Sequence, residues 1–401
     1  MISRCRASGG GPAFQERSME SFADALAMVT ALRPEEPVYC LRPRVLRDSA
    51  AEFQRQFPGT VMYAVKCNDH PAVLAGLHAG GLRHFDVASL SEIEAVAALP
   101  EAVSHYMHPV KNRQAVELAY HRFGIRTYAL DHEEELDKIL AVTGGARDLT
   151  LVLRVDMPRF DSVCDLSGKF GAEVEAAPGL LRRIAATGNR AGLTFHVGSQ
   201  CLDPGAYESA LTICAGILAR AGVGAPVIDV GGGFPAAYVG TAAPPLSAFV
   251  AAIRAGLARL PADPGRAVFC EPGRALVAEA CSLVVKVEFR RGHRLYLNDG
   301  AYGSLADMKL FRTVYPVRLL RPGGAGGKPA SFALFGPTCD SYDSLPGTSP
   351  LPEDVHEGDW IEFGQIGAYS NVLQTRFNGF EARRFVAVED GALRPAAAQA
   401  A

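Results

Sequence analysis

The sequence predicts an α/β protein built as a closed parallel (β/α)8 barrel followed by a mostly antiparallel β domain. Three observations lead there. Short β-branched runs alternate with longer Ala/Leu-rich stretches between about Val61 and Glu271. After Ala280 the texture changes to short apolar runs broken by Gly/Pro turns. Reactive residue types gather where the successive apolar runs end. On the first observation alone, an open doubly wound sheet is the rival architecture.

Eight runs are candidate strands: Val61–Val65, His84–Val87, His105–Met107, Thr127–Leu130, Leu151–Val155, Leu193–Val197, Val227–Val230 and Ala267–Cys270. The stretches between them, such as Ser91–Leu99, Glu133–Val142 and Tyr207–Ala221, have helical length and apolar spacing. Eight strand-then-helix repeats are the pattern that closes a parallel barrel. Beyond Ala280, Leu283–Arg290, Arg294–Asn298, Ser331–Phe335, Trp360–Phe363 and Arg384–Val388 read as strands of a second domain, joined by the early run Val38–Leu41. The Gly/Pro-rich loop Arg321–Pro329 reads as mobile. The expected division is a disordered leader at 1–21, a segment at 22–42 that joins the β domain, a barrel at 43–282, the β domain at 283–390 and a disordered tail at 391–401.

Composition narrows the function classes. With 401 residues, 48% apolar and 21% charged, the chain has the balance of a globular protein of one large domain and a second. The net charge of −3, with both signs dispersed, argues against nucleic acid or an anionic membrane as partner. Nine cysteines without a C-x-x-C pair argue against a disulfide framework or a zinc site, so no metal is expected. They read as reduced thiols of a cytoplasmic protein. No apolar run approaches the roughly 20 residues of a membrane span. Met1–Ser18 lacks the apolar segment of a secretory signal and reads as a leader, with Met19 an alternative start.

Chemistry in such a barrel sits at the C-terminal ends of the strands. Lys66 ends the first run and Asp86 the second, His108 follows the third, and Arg154 lies near the end of the fifth. His196 ends the sixth, Gly231-Gly232-Gly233 the seventh, and Glu271 with Arg274 the eighth. A lysine ending an apolar strand has a poorly solvated ammonium, hence a lowered pKa suited to Schiff-base chemistry; the bland alternative is a lysine snorkelling at the rim. The glycine turn lets backbone N–H groups approach a phosphate, or is a plain tight turn. His196 is a reactive imidazole or a satisfied core histidine. Glu271 and Arg274 form a rim salt bridge, or face a heterocyclic nitrogen and a phosphate.

Ten ordered segments then resemble the fold-type III, alanine-racemase-like pyridoxal-phosphate decarboxylases, the family of ornithine, lysine, arginine and diaminopimelate decarboxylases, with the ornithine branch nearest. They are Tyr-Ala-Val-Lys-Cys-Asn at 63–68, Phe-Asp-Val-Ala-Ser at 85–89, Lys-Phe-Gly at 169–171, His-Val-Gly-Ser-Gln at 196–200, Gly-Gly-Gly-Phe-Pro at 231–235 and Glu-Pro-Gly-Arg at 271–274. Asn-Asp-Gly-Ala-Tyr-Gly-Ser at 298–304, Gly-Pro-Thr-Cys-Asp at 336–340, Gly-Ala-Tyr at 367–369 and Phe-Asn-Gly-Phe at 377–380 complete the set.

The resemblance implies pyridoxal 5'-phosphate as cofactor and an amino acid as substrate, within a homodimer that shares its active sites. Lys66 would be the Schiff-base lysine, Glu271 would face the pyridine nitrogen, and His196 would stack on the ring. Ser199, Gly231, Gly232, Gly233, Gly273, Arg274 and Tyr369 would surround the phosphate, with Asp86 and Arg154 near the lysine and ring. Cys339 of the partner subunit would protonate the α-carbon, and Asp340 beside it would bind the substrate amine. Lys169 would pair across the interface with Asp343 of the partner subunit.

Substrate choice departs from the pattern. The family places an acid for the distal ammonium on a short helix after the Asn-Asp-Gly segment, and here that place falls at Leu310 or Phe311. Asp307, about one turn earlier, or Asp340 would have to substitute, with Tyr302 nearby. Alternatively Lys309 and Arg312 would receive a distal carboxylate. A racemase on the same barrel and a catalytically dead regulatory homologue are the remaining readings.

Overall fold

In a computed structural model that describes residues 19–164, 168–324 and 326–395, eight strands close a parallel barrel among the described residues. They are Thr60–Ala64, His84–Val87, Val103–Tyr106, Thr127–Leu130, Thr150–Arg154, Arg190–Thr194, Val227–Asp229 and Ala267–Cys270. The last strand closes onto the first through Phe269 opposite Thr60 and Cys270 opposite Val61. A closed ring leaves no strand edge unpaired, so backbone polar groups are satisfied all the way round.

Alternate residues of these strands face opposite ways. Met62, Met107, Ala129 and Val152 meet inside the barrel, with Phe269 against them. The other face packs on the helices: Phe53 and Tyr207 from two of them meet Phe234, which follows the glycine turn. Helix starts follow local chemistry. Ser89 accepts from Glu92 N at 3.2 Å at the head of Leu90–Ala97, and Asn112 accepts from Ala115 N at 2.7 Å at the head of Arg113–His121.

The second domain is a sheet in which nine strands are described. Its hub is the long strand Cys281–Arg291, which pairs antiparallel with Val38–Leu41, Arg294–Leu297 and Trp360–Phe363. Val38–Leu41 pairs in turn, parallel, with Arg384–Val388. An early segment and a late segment of the described chain therefore lie side by side. Arg42, 1% exposed, fastens them: its guanidinium reaches Glu362 at 3.0 Å, Asp390 at 2.9 Å, Ser282 Oγ at 2.9 Å and the carbonyl of Gly391 at 3.0 Å.

Several short strands depart from the sequence reading. Ser21–Phe22, expected at the edge of a disordered leader, pairs with Ala387 and Val388. Residues 391–395, expected as loose tail, include Arg394 bound to Glu279 at 2.6 Å and Leu393 packed at Gly364. Residues 1–18 and 396–401 lie outside the described residues. Val317–Leu320 and Ser349–Pro352, which are not among the strands expected from sequence, each supply an outer strand of the sheet.

Candidate active site

The C-terminal mouth of the barrel gathers the expected polar residues. Lys66 lies not on the strand but on a single 3-10 turn, Val65–Cys67, that follows it. The register pairs Ala64 with Asp86 on the next strand, so the Lys66 ammonium meets the Asp86 carboxylate at 2.5 Å. This corrects the expectation of a depressed lysine. Burial pulls its pKa down, but the amine is 44% exposed, and Asp86, Glu271 and Tyr369 together outweigh that pull and raise it. The resting lysine is a charged partner of Asp86.

Opposite it sit two acids. Desolvation, then Asp229 and Asp86, push the Glu271 carboxyl well above the usual carboxylate range, and burial also raises Asp229. Their mutual interaction raises the Glu271 carboxyl and lowers that of Asp229, so Glu271 is the more readily protonated of the two. Asp229 is fixed from behind, accepting from Thr194 Oγ1 at 2.9 Å and from Gly231 N at 2.9 Å. His196 is held neutral: burial first, then Arg154 and Lys66, lower its pKa to about 3. Its Nδ1 accepts from Gly198 N at 2.9 Å, which leaves the proton of the neutral ring on Nε2.

The glycine turn is close-packed between these groups. A Cβ on Gly231, whose φ is +66°, would stand 1.9 Å from the Phe195 carbonyl. One on Gly232 would stand 2.8 Å from the Glu271 carbonyl oxygen and 3.0 Å from His196 Nε2. Tyr207 donates to the Gly232 carbonyl at 2.9 Å, and Gln200 clamps both the N–H and the carbonyl of Ala236. Gly273 abuts Cys67, and Tyr369 N donates to the Cys67 carbonyl at 2.9 Å, which brings the β domain over the lysine turn.

Arg274 is 5% exposed. Its ring neighbours are Tyr369 and Tyr238, with centroids at 5.0 and 5.6 Å. Its Nη1 donates to Tyr238 Oη at 2.8 Å, and Nη1 and Nη2 each reach Asp307 at 3.2 Å. Its Nε is buried with no hydrogen-bond partner. Arg274, Ser199, Tyr238, Phe311 and Arg312 line one cavity.

Two residues with expected roles already have hydrogen-bond partners within the chain. Asp307, proposed for a substrate ammonium, is fully buried, and it accepts from Arg274 and from Tyr315 Oη at 2.8 Å. Asp343, expected to meet a partner's lysine, is 3% exposed, with its oxygens accepting from Ala301 N at 2.7 Å and Thr338 N at 3.0 Å. Lys309 is likewise spoken for, donating to the Ser344 carbonyl at 2.9 Å over the Tyr342 ring. Lys169 is exposed above the Phe170 ring, and Arg154 faces the same ring at 5.6 Å.

Cys339 and Asp340 stand apart from this mouth. Cys339 is exposed on a groove of about 870 Å³ that Asp340, Glu35, Glu36, Glu288 and Glu381 also line. Tyr302 Oη donates to Asp340 at 2.6 Å, and that bond, with one from Tyr342 N, holds the carboxyl below its usual range. Sequence reading missed Asp229, Tyr238 and Tyr315. Asp229 stood inside the seventh apolar run, Val227–Val230, where a lone acid was the available signal; the tyrosines carry no local signal.

The model for the pyridoxal-dependent decarboxylase pyridoxal-binding domain matches residues 44–278. The ornithine decarboxylase of Panagrellus redivivus is 35% identical over 376 residues, covering 86% of this chain and 84% of the relative. The lysine/ornithine decarboxylase of Selenomonas ruminantium is 34% identical over 340 residues, covering 82% and 84%. A variant of SrLDC solved in complex with PLP superposes with a TM-score of 0.81 at 30% identity, covering 93% of this chain and 97% of that one. No helix among the described residues is long and apolar enough to cross a membrane.

Proposed function

The chain belongs to the pyridoxal-dependent decarboxylases, carboxy-lyases whose cofactor is pyridoxal phosphate, and we propose that it decarboxylates a basic amino acid of the ornithine and lysine class. The observation that carries this reading is the barrel mouth itself, where a lysine, a neutral histidine, a protonated acid and a buried arginine converge. The residues fit the cofactor. Arg274 keeps a buried Nε–H without an acceptor, as a phosphate-binding group would. Glu271 keeps a proton that a pyridine nitrogen can share.

When bound, pyridoxal phosphate supplies an electron-accepting ring that takes the pair left as carbon dioxide departs. Lys66 would anchor the cofactor's aldehyde, which requires its ammonium first to part from Asp86. Glu271 would hold a proton at the pyridine nitrogen, backed by Asp229. His196, uncharged, would lie against the ring without competing for the α-carbon proton. Ser199, Gly231, Gly232, Gly233, Gly273, Arg274 and Tyr369 would surround the phosphate, and Arg154 would add positive charge nearby.

The remaining steps need a second copy. Cys339 of the partner subunit would return a proton to the α-carbon, and Asp340 of the partner subunit would receive the substrate's distal ammonium. Support comes from the placement of Tyr302, which holds Asp340 as a carboxylate on an open groove rather than inside its own barrel. With Asp307 committed to Arg274, Asp340 is the candidate acid that stays available. Lys169 would pair with Asp343 of the partner subunit, whose carboxylate, among the described residues, meets only backbone N–H donors within its own chain. The free cysteines fit a reducing, cytoplasmic setting.

A second reading rests on one cavity. The place of the family's distal acid falls at Leu310 or Phe311, and the charged side chains that line the cavity with Phe311 are Arg274 and Arg312. That lining suits a substrate with a distal carboxylate. Carbon dioxide release from purified enzyme with pyridoxal phosphate, across L- and D-ornithine, lysine, arginine, diaminopimelate and glutamate, decides between the two. Turnover of ornithine or lysine supports the first, and turnover of the carboxylated substrates alone supports the second. Failure of every amino acid to release carbon dioxide refutes both.

A further inference from the structure

We infer that Asp307 is the positioning residue of the phosphate site, aligning Arg274 for the cofactor's phosphate, and that the acid of this short helix serves the cofactor in place of the substrate. The inference rests on the reading of Arg274 as a phosphate ligand. A guanidinium is a rigid planar fork, so fixing its two terminal nitrogens fixes the direction of Nε–H as well. Here both are fixed. Asp307 takes Nη1 through Oδ2 and Nη2 through Oδ1, each at 3.2 Å, and Tyr238 Oη takes Nη1 at 2.8 Å.

Asp307 is itself held. Tyr315 Oη donates to Oδ2 at 2.8 Å, and the carboxylate is fully buried. Two charges removed from water this completely are stabilised by one another only when their geometry is good and their other donors are satisfied. An ion pair kept for stability alone would satisfy the whole arginine. This one engages both terminal nitrogens and leaves Nε buried and unpaired on a residue that shares its cavity with Ser199. The unpaired donor is what a phosphate oxygen would take up.

The arrangement also accounts for the departure in the substrate helix. Asp307 lies on Ala306–Phe311, the element that carries the distal-ammonium acid in the family, and its carboxylate is turned to the arginine. Its two buried tyrosine neighbours, Tyr238 and Tyr315, pack edge to face with centroids 5.6 Å apart and close the cluster. The helix thus couples phosphate binding to the segment that ends in Phe311 and Arg312, both of which line the same cavity.

The test compares two ligands that differ in the phosphate alone. Full-length protein is stripped with a carbonyl reagent and titrated with pyridoxal phosphate or with pyridoxal, reading the long-wavelength absorbance of the lysine adduct. Asp307→Ala should weaken pyridoxal phosphate by about 10- to 100-fold, the range seen when a group orienting a ligand is lost, and leave pyridoxal within about twofold. In an Arg274→Ala background the same change should add nothing further. Equal losses for both ligands, or no loss, overturn the inference. Additive losses in the double variant do so as well. Should Asp307→Ala fail to fold, Asp307→Asn, which keeps the shape and one acceptor, decides by the same selectivity. If unaltered protein forms no adduct with either ligand, the Lys66 reading fails instead.

Discussion

Replacing Asp86 by asparagine keeps the volume beside Lys66 and removes the charge 2.5 Å from its Nζ. At that distance the attraction between unit charges is about 1.7 kcal/mol even with the full screening of bulk water. Asp86 is 2% exposed while the lysine is 44% exposed, so bulk screening gives a floor. At about 1.4 kcal/mol per factor of ten, the neutral fraction of the amine should rise about 15-fold at pH values well below the pKa of the variant. The sign follows from the shift: Asp86 raises the pKa of Lys66, so its loss lowers that pKa and frees neutral amine at lower pH. The assay is acylation of stripped protein by an amine-selective reagent across pH, with peptide mass spectrometry reporting Lys66 against the exposed Lys169 and Lys328. Unchanged labelling of Lys66, or labelling displaced to higher pH in a variant of unaltered melting temperature, would refute the electrostatic reasoning.

Mixing Lys66→Ala chains with Cys339→Ala chains should restore about a quarter of normal activity, by statistical pairing in a two-fold dimer; no recovery means the two residues act within one chain. Gly231→Ala forces a Cβ to 1.9 Å from the Phe195 carbonyl at a φ of +66°, and should cost about 2–4 kcal/mol in urea unfolding together with loss of bound cofactor. Arg42→Ala leaves Glu362 buried, but Arg318 still reaches that carboxylate at 2.5 Å, so the loss should fall near the lower end of about 3–5 kcal/mol. A denaturation midpoint equal to that of the unaltered chain would contradict the part given to Arg42.

The barrel was legible because its eight strands are short, apolar and separated by helices of ordinary length, and because reactive residues sit at one end of each. What the sequence could not carry is distance. Lys66 reads as an isolated amine until the register of two neighbouring strands sets Asp86 against it. Asp307 reads as a substrate acid because nothing in a linear chain marks an arginine 33 positions earlier as its partner. Asp343 is similar, with a further twist. Two glycines within motifs that carried the family resemblance, Gly300 and Gly336, make room for its carboxylate, since a Cβ on either would stand 2.2 Å from Asp343 Oδ1. Those motif positions are explained by packing inside one domain, although the acid itself had been read as an interface group. The proline-bearing outer strands escaped for the usual reason, that proline argues against a strand wherever the sheet's hub is unknown.

The pairing of Val38–Leu41 with Arg384–Val388, fastened by Arg42, sets a schedule for the chain's birth. Arg42 leaves the ribosome well before the Gly391 carbonyl it binds, 349 positions later. At ordinary rates of synthesis that wait is roughly 20–70 s. For about the first two-thirds of that time the early strand has neither of its sheet neighbours, because the hub strand at Cys281 is itself made late. The barrel, whose strands follow one another closely, can close first. The β domain is then completed late, when Arg384–Val388 pairs with the early strand. A nascent chain stalled before Cys281 should therefore carry an unpaired, apolar N-terminal strand, the segment on which a chaperone would act.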